Sequence, residues 1–249
     1  KRIKEDYLRI LRYLRFFLNY SKQQHSKETI KKLKTNIIGI LKLSKERLLD
    51  ELKKIVKLEI LERLSKDQIS LEIVLMIFPE FKNIKIFSKL NSTQKDLLRE
   101  KDFIFLLSLM IVDETDNTDY FLYKFNIPKK DKKRIKSIDN FFKEKISSKL
   151  FTKNNMDKIF YYQGKQFILD ILSFRIIKSK KADNSLEELI KNYEKKVIPI
   201  MPINADFLMK KYKIPEGQQL GNKLRIIEDH WVKNNFKISD DDVDNIVNS

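Results

Sequence analysis

Asp6 and Arg9 are the residues on which chemistry would be expected to rest. They are a carboxylate and a guanidinium three positions apart, which on a helix share one face. An Asp acceptor beside an Arg donor makes a two-point hydrogen-bonding edge. Cytosine and adenine both present an exocyclic amino donor beside a ring-nitrogen acceptor, whereas guanine and uracil show the reverse order. A held pair of this kind would accept C or A and leave partners unsatisfied against G or U. The same spacing also suits an ordinary surface helix with an ion pair. Arginine usage bears on the choice: ten arginines stand among 52 Lys+Arg, at 2, 9, 12, 15, 47, 63, 99, 134, 175 and 225, and four lie in the first fifteen residues. A chain that otherwise carries its positive charge as Lys places rigid, bidentate donors here.

An element must hold that pair, and the stretch from Glu5 to Phe16 reads as one amphipathic helix. Leu8, Leu11, Leu14 and Leu18, with Ile10 and Phe17, form its apolar stripe, while Asp6, Arg9 and Tyr13 share another face.

Glu5-Asp6-x-x-Arg9, followed by Ile-Leu-Arg and by Arg15-Phe16, resembles the E-D-x-x-R-I-L-R-x-x-R-F segment of class II tRNA nucleotidyltransferases (CCA-adding enzymes) and bacterial poly(A) polymerases. The resemblance implies that Asp6 and Arg9 act as a protein template for incoming CTP or ATP, with Glu5, Arg12 and Arg15 completing the nucleotide-binding set. Leu43-Ser44-Lys45-Glu46-Arg47-Leu48-Leu49-Asp50-Glu51-Leu52 resembles the family's L-S-x-E-R-x-x-x-E-L element, so Glu46, Arg47 and Glu51 are expected to brace the reading helix. A third segment, Pro202-x-x-Ala205-Asp206-Phe207-Leu208 through Gly217 and Gly221 to Trp231, is similar to the family's C-terminal P-x-x-G-x-D-L…G-x-x-x-G…W run. It departs at Ala205, where Gly is usual, which puts a tight turn there in doubt.

What the resemblance implies is an all-α, elongated chain: a neck over 1–64, a body over 65–150 and a tRNA-binding tail over 151–249. The partners implied are tRNA and nucleoside triphosphates. Phosphoryl transfer to an RNA 3′ end needs carboxylates holding Mg²⁺ and a backbone loop for the phosphates. The family places these in an N-terminal head with a Gly-rich turn and a D-x-D pair, and four scattered glycines do not supply one here. The expectation is therefore a chain that selects nucleotide and grips tRNA, lacks catalytic carboxylates, binds no metal and is inactive alone, with the head on the same or another chain. A poly(A)-, A- or CC-adding relative remains open, as does a stand-alone basic helical RNA-binding protein.

Composition sets the outer limits. At 249 residues and 42% hydrophobic the chain can bury a substantial core. Absence of Cys excludes disulfides, thiolate metal sites and Cys nucleophiles, and suits a reducing compartment. No apolar run approaches the ~18 to 20 residues of a membrane span, and no signal-peptide pattern opens the chain; a cytoplasmic protein without a membrane partner is expected. The net charge of +17 favours a polyanionic partner.

In order, nearly everything reads as helix, punctuated by four Gly and five Pro. Helices are expected over Lys27–Leu43, from the Ser44 cap to about Leu64, over Ser65–Phe81 and over Thr93–Val112, the last apolar nearly all round. His25 reads as a surface residue. Glu46 is expected to find Arg9 or Arg12 across the helices. Asp113 to Asp119 is a polar loop without the Gly and terminal Glu of a calcium loop. A short helix over Phe121–Phe125 precedes one to Lys149 that carries the densest basic run: Lys129, Lys130, Lys132, Lys133, Arg134 and Lys136. That run suits either phosphate contact or a solvated face. Asp157–Lys178 is expected as a core helix or pair interrupted at Gly164, then a hinge over Lys178–Asn184 and a helix over Leu186–Val197. Gly217 and Gly221 before a last basic helix could let backbone amides approach phosphate, or merely shape a turn. Asp240–Asp242 starts a terminal helix.

Overall fold

A computed structural model of the chain describes residues 2–144, 151, 153–179 and 184–248. Among them every regular element is helical, so the fold is all-α. In chain order the helices are α1 (Arg2–Glu5), α2 (Arg9–Tyr20), α3 (Lys27–Asn36), α4 (Lys45–Ile55), α5 (Leu58–Lys66), α6 (Gln68–Ile77), α7 (Ser92–Arg99), α8 (Phe103–Ile111), α9 (Asn117–Lys124), α10 (Lys129–Lys143), α11 (Lys153–Lys178), α12 (Asn184–Lys195), α13 (Ala205–Tyr212), α14 (Gln218–Lys233) and α15 (Asp240–Asn248), with 3-10 turns at Ile37–Lys42 and Ile84–Ser88. No described helix is long and apolar enough to cross a membrane.

The chain divides into two compact units, one of Lys1–Ile146 with Asp170–Asn184 and the other of Ser147–Leu169 with Ser185–Ser249. The expected neck and the expected body up to residue 146 fall in the first, together with residues 170–184 of the expected tail. Residues 145–150 at the end of the expected helix to Lys149, and 180–183 in the expected hinge, lie outside the described residues.

In the first unit the leucine stripe of α2 does what its spacing demands. Ile10, Leu11, Leu14 and Leu18 are buried and meet α4 and α5, whose Leu48, Leu52, Leu61 and Leu64 are buried in turn. In α8 every residue from Ile104 to Ile111 is buried, as expected of the central helix. Side-chain caps set the helix starts: Ser26, Ser44, Asp67 and Asp102 each accept from a backbone N–H, and Asn91 with Gln94 forms a full capping box.

Several boundaries differ from the sequence reading. The opening stretch is two helices, broken at Asp6–Leu8, because the Asp6 carboxylate accepts the Leu8 N–H and diverts the backbone from helix continuation. The second expected helix gives way at Ile37 to a 3-10 turn, and the third is split between α4 and α5 at Val56–Lys57. Ser65–Phe81 shortens to α6 behind its Asp67 cap. Thr93–Val112 is split into α7 and α8 because Asp102 caps a new start.

His25 is the clearest correction, being buried rather than on the surface. Its Nδ1 lies 2.9 Å from the Tyr13 hydroxyl, its Nε2 3.0 Å from Ser70 Oγ, and its ring stacks on Phe17 at 3.5 Å. Burial, and then the charge of Asp67, hold the Tyr13 hydroxyl above its ordinary pKa.

The 3-10 turn at Ile37–Lys42 exists in this form because of Gly39. A Cβ added at Gly39 would lie only 2.1 to 2.3 Å from three ring carbons of Tyr7, the residue beside Asp6. Gly39→Ala is therefore expected to cost about 1–3 kcal/mol by overpacking, read as a lower urea midpoint; an unchanged midpoint would contradict the contact.

In the second unit, α11 bends at Gly164, whose φ of 82° and ψ of 174° leave the helical region, as the sequence reading placed it. Tyr161 meets Trp231 edge-on at 5.4 Å and donates to Glu228 at 2.5 Å. The burial of Tyr161, followed by that hydrogen bond, pushes its pKa up to about 12. A separate core gathers Ile203, Leu208, Ile214, Leu220, Ile227 and Val243. Ala205 begins α13 behind the Asn204 cap without a positive φ, so the departure from Gly there needs no strained turn.

Candidate functional site

Around the N-terminal end of α2 the charged groups are interlocked. Asp6 sits in the break before the helix. Its Oδ1 takes the Leu8 N–H at 3.1 Å, and Arg47 Nη2 from α4 lies 3.1 and 3.2 Å from its two oxygens. Arg12 Nη1 approaches Oδ2 at 3.7 Å. A carboxylate oxygen has two lone pairs, so Oδ2 keeps accepting capacity. Arg9, one turn on, donates Nη1 to the Arg2 carbonyl at 2.8 Å and lies 3.4 Å from Glu5. Asp6 and Arg9 therefore do not consume each other. Each is fixed by other groups, and both stay partly exposed.

Below them Glu51 of α4, only 1% exposed, holds the helix in register. Arg15 Nε donates to its Oε1 at 2.6 Å, Arg12 Nε lies 3.8 Å from Oε2, and Lys54 Nζ lies 3.4 Å from the same oxygen. The bracing segment thus acts through Arg47 on Asp6 and through Glu51 on Arg12 and Arg15. Glu46, expected to meet Arg9 or Arg12, is exposed and has no ion pair among the described residues. The register between α2 and α4 presents Glu51 instead.

Along the outer stripe of α2, Arg9, Arg12, Phe16 and Tyr20 follow at helical spacing. The Arg15 guanidinium lies 4.5 Å over the Phe16 ring, and Phe16 and Tyr20 stack with centroids 6.1 Å apart at 28°. Sequence reading names Phe16 only as the last letter of the motif and assigns neither ring a role. Their three- and four-residue steps from Arg9 were the available signal.

The basic run on α10 is not uniform. Lys129, Lys130, Lys132 and Lys133 are exposed and lack ion pairs among the described residues, while Lys136 meets Asp119 at 2.8 Å. Arg134 is turned inward onto Asp102 and Asp170. Gly217 caps α14 with φ 149°, while Gly221 lies within that helix. The expected polar loop ends at Asp116, the N-cap of α9: Asp113 accepts from Thr115, and Asp116 together with Asp119 in the first turn of α9 faces Lys143. Among the described residues no group of three or more His, Asp or Glu side chains is placed to hold a metal ion.

The all-α fold, the interlocked arginine-rich helix end and the exposed lysines of α10 define a helical protein that carries exposed positive charge at two places on its chain. Residues 96–242 match the family model described as tRNA nucleotidyltransferase domain 2. The chain belongs to that family. It is 26% identical over 250 residues to the human protein named CCA tRNA nucleotidyltransferase 1, mitochondrial, a match covering 98% of this chain and 55% of that protein. The mouse protein of the same name is 24% identical over the same shares. The zebrafish protein of that name is 46% identical over 57 residues, 22% of this chain and 13% of that protein. The chain thus spans about half the length of the human and mouse relatives. Asp6 and Arg9 lie ahead of the family-model match.

Proposed function

We propose that this chain is the base-selecting and tRNA-holding portion of a CCA-adding tRNA nucleotidyltransferase. The observation that carries the reading is the paired immobilisation of Asp6 and Arg9 one turn apart, each held by groups other than its neighbour. Asp6 accepts from the exocyclic amino group of cytosine or adenine, and Arg9 donates to the adjacent ring nitrogen. Guanine and uracil reverse that order and leave both groups unpaired. Arg47 and the Leu8 N–H aim the carboxylate, and Glu51 fixes Arg12 and Arg15 behind it, so the edge is preorganised.

Lys129, Lys130, Lys132 and Lys133, with the α14 start near Gly217 and Gly221, contact tRNA phosphates in this reading, with affinity falling as salt rises. Phosphoryl transfer and its Mg²⁺ belong to a head domain on the same or another chain, and no step of that transfer is assigned to residues here. A cysteine-free chain suits a reducing compartment such as the cytoplasm.

The test joins the chain to a family head domain and follows nucleotide addition to a tRNA lacking its 3′ end. Asp6→Asn and Arg9→Ala should each cut discrimination of CTP and ATP against GTP and UTP by about tenfold or more. Unchanged selectivity in an active enzyme refutes the template role.

A further inference from the structure

Two large aromatic rings stand open on the helix that carries the proposed reading edge: Phe16 is 51% exposed and Tyr20 76%. They stack on one another in line with Arg9 and Arg12, and Arg15 lies over Phe16. Elsewhere α2 buries Ile10, Leu11, Leu14 and Leu18, so this outward pair is not core, and i,i+4 pairing alone gives it only a few tenths of a kcal/mol. An exposed aromatic shelf continuous with guanidinium groups has the chemistry of a single-stranded nucleic acid platform. Bases stack on the rings while cations meet the backbone.

We propose that Phe16 and Tyr20 form a stacking shelf for the unpaired 3′ nucleotides of the RNA that accepts the new residue. The inference rests on the reading of Asp6 and Arg9 as the base-selecting edge. Spacing supports it: seven residues of helix from Arg9 to Phe16 span about 10 Å. Stacked bases repeat at roughly 3.4 Å, so that distance suits an incoming base and the two nucleotides before it. The shelf is sequence-tolerant, since every base has a π face, whereas the edge at Asp6 and Arg9 is selective. One helix would then hold the growing end without regard to its letters and choose only the next letter.

The experiment measures binding of the full chain to two labelled RNA hairpins with the same stem, one ending flush and one with two unpaired 3′ cytidines. The unaltered chain should prefer the overhang, and Phe16→Ala/Tyr20→Ala should cut that preference about tenfold while leaving flush-end binding unchanged. Phe16→Trp/Tyr20→Trp should restore it, which a merely structural role would not do. If the Ala pair keeps the overhang preference, or weakens both RNAs alike, the shelf is overturned while base selection stands on its own test. If the unaltered chain holds neither hairpin, the RNA-holding reading falls and the shelf with it.

Discussion

Arg134→Ala is expected to lower unfolding free energy by about 3 kcal/mol, the cost of stripping the partner from a buried charge. Arg134 is 19% exposed, and its fork meets Asp170, whose side chain has no exposure, at 2.7 and 3.0 Å. Its remaining Nη1 meets Asp102, which also accepts the Phe105 N–H and so starts α8. One side chain thus joins the start of the most buried helix to α10 and to the Asp170 segment of α11. Burial works against the guanidinium charge, yet the hydrogen bonds it donates to Asp170 and Asp102 hold its pKa above the ordinary value. Arg134→Lys should recover only part of the loss, because an ammonium cannot serve both oxygens of Asp170 and Asp102 together.

The pH dependence has a definite sign. Burial alone would raise Asp102, but the bonds from Arg134 and the Phe105 N–H outweigh it, and the folded pKa is lowered. That contribution is complete above the ordinary carboxylate pKa and is lost as pH falls through the depressed value. The penalty of Arg134→Ala should therefore be full at pH 7 and shrink below about pH 4. Urea unfolding at both pH values checks it. A loss under 1 kcal/mol at neutral pH would contradict the buried triad.

The second expectation is an asymmetry between Arg15 and Glu51. Arg15→Ala should cost about 2 kcal/mol and Glu51→Ala about half that, even though both delete the same 2.6 Å bond. The carboxylate is the buried member. Without Arg15 it stays under the helix with only Arg12 at 3.8 Å and Lys54 at 3.4 Å. Without Glu51, the three cations retain access to water. Paired unfolding curves decide the order, and a larger loss for Glu51→Ala would show that the burden lies on the guanidinium.

How much of this could be read from the chain depends on whether the determinant was local. The leucine spacing of α2, the apolar run of α8 and the Ser44 cap are local patterns, and each appears where the sequence placed it. The break before Arg9 carries no Gly or Pro. Its signal is the Asp6 side chain bonding to its own backbone, which competes with the apolar periodicity around it. The sequence matched Glu46 to Arg9 or Arg12, and only the register of α2 on α4 brings Glu51 to Arg12 and Arg15 instead. His25 was hidden because its burial comes from Tyr13, Phe17 and Ser70, one of them forty-five positions away. Arg134 was indistinguishable from the lysines beside it, because its carboxylate partners come from outside its own helix.

If Asp6 reads the base as proposed, its dual duty limits how this molecule could change its alphabet. The same carboxylate that would face an incoming base also seats the first turn of α2 through the Leu8 amide and anchors Arg47. Its replacement perturbs the scaffold as well as the preference. Arg9 reaches outward to a carbonyl and an exposed glutamate, so a retargeted variant, natural or engineered, has its cheaper route through the guanidinium partner.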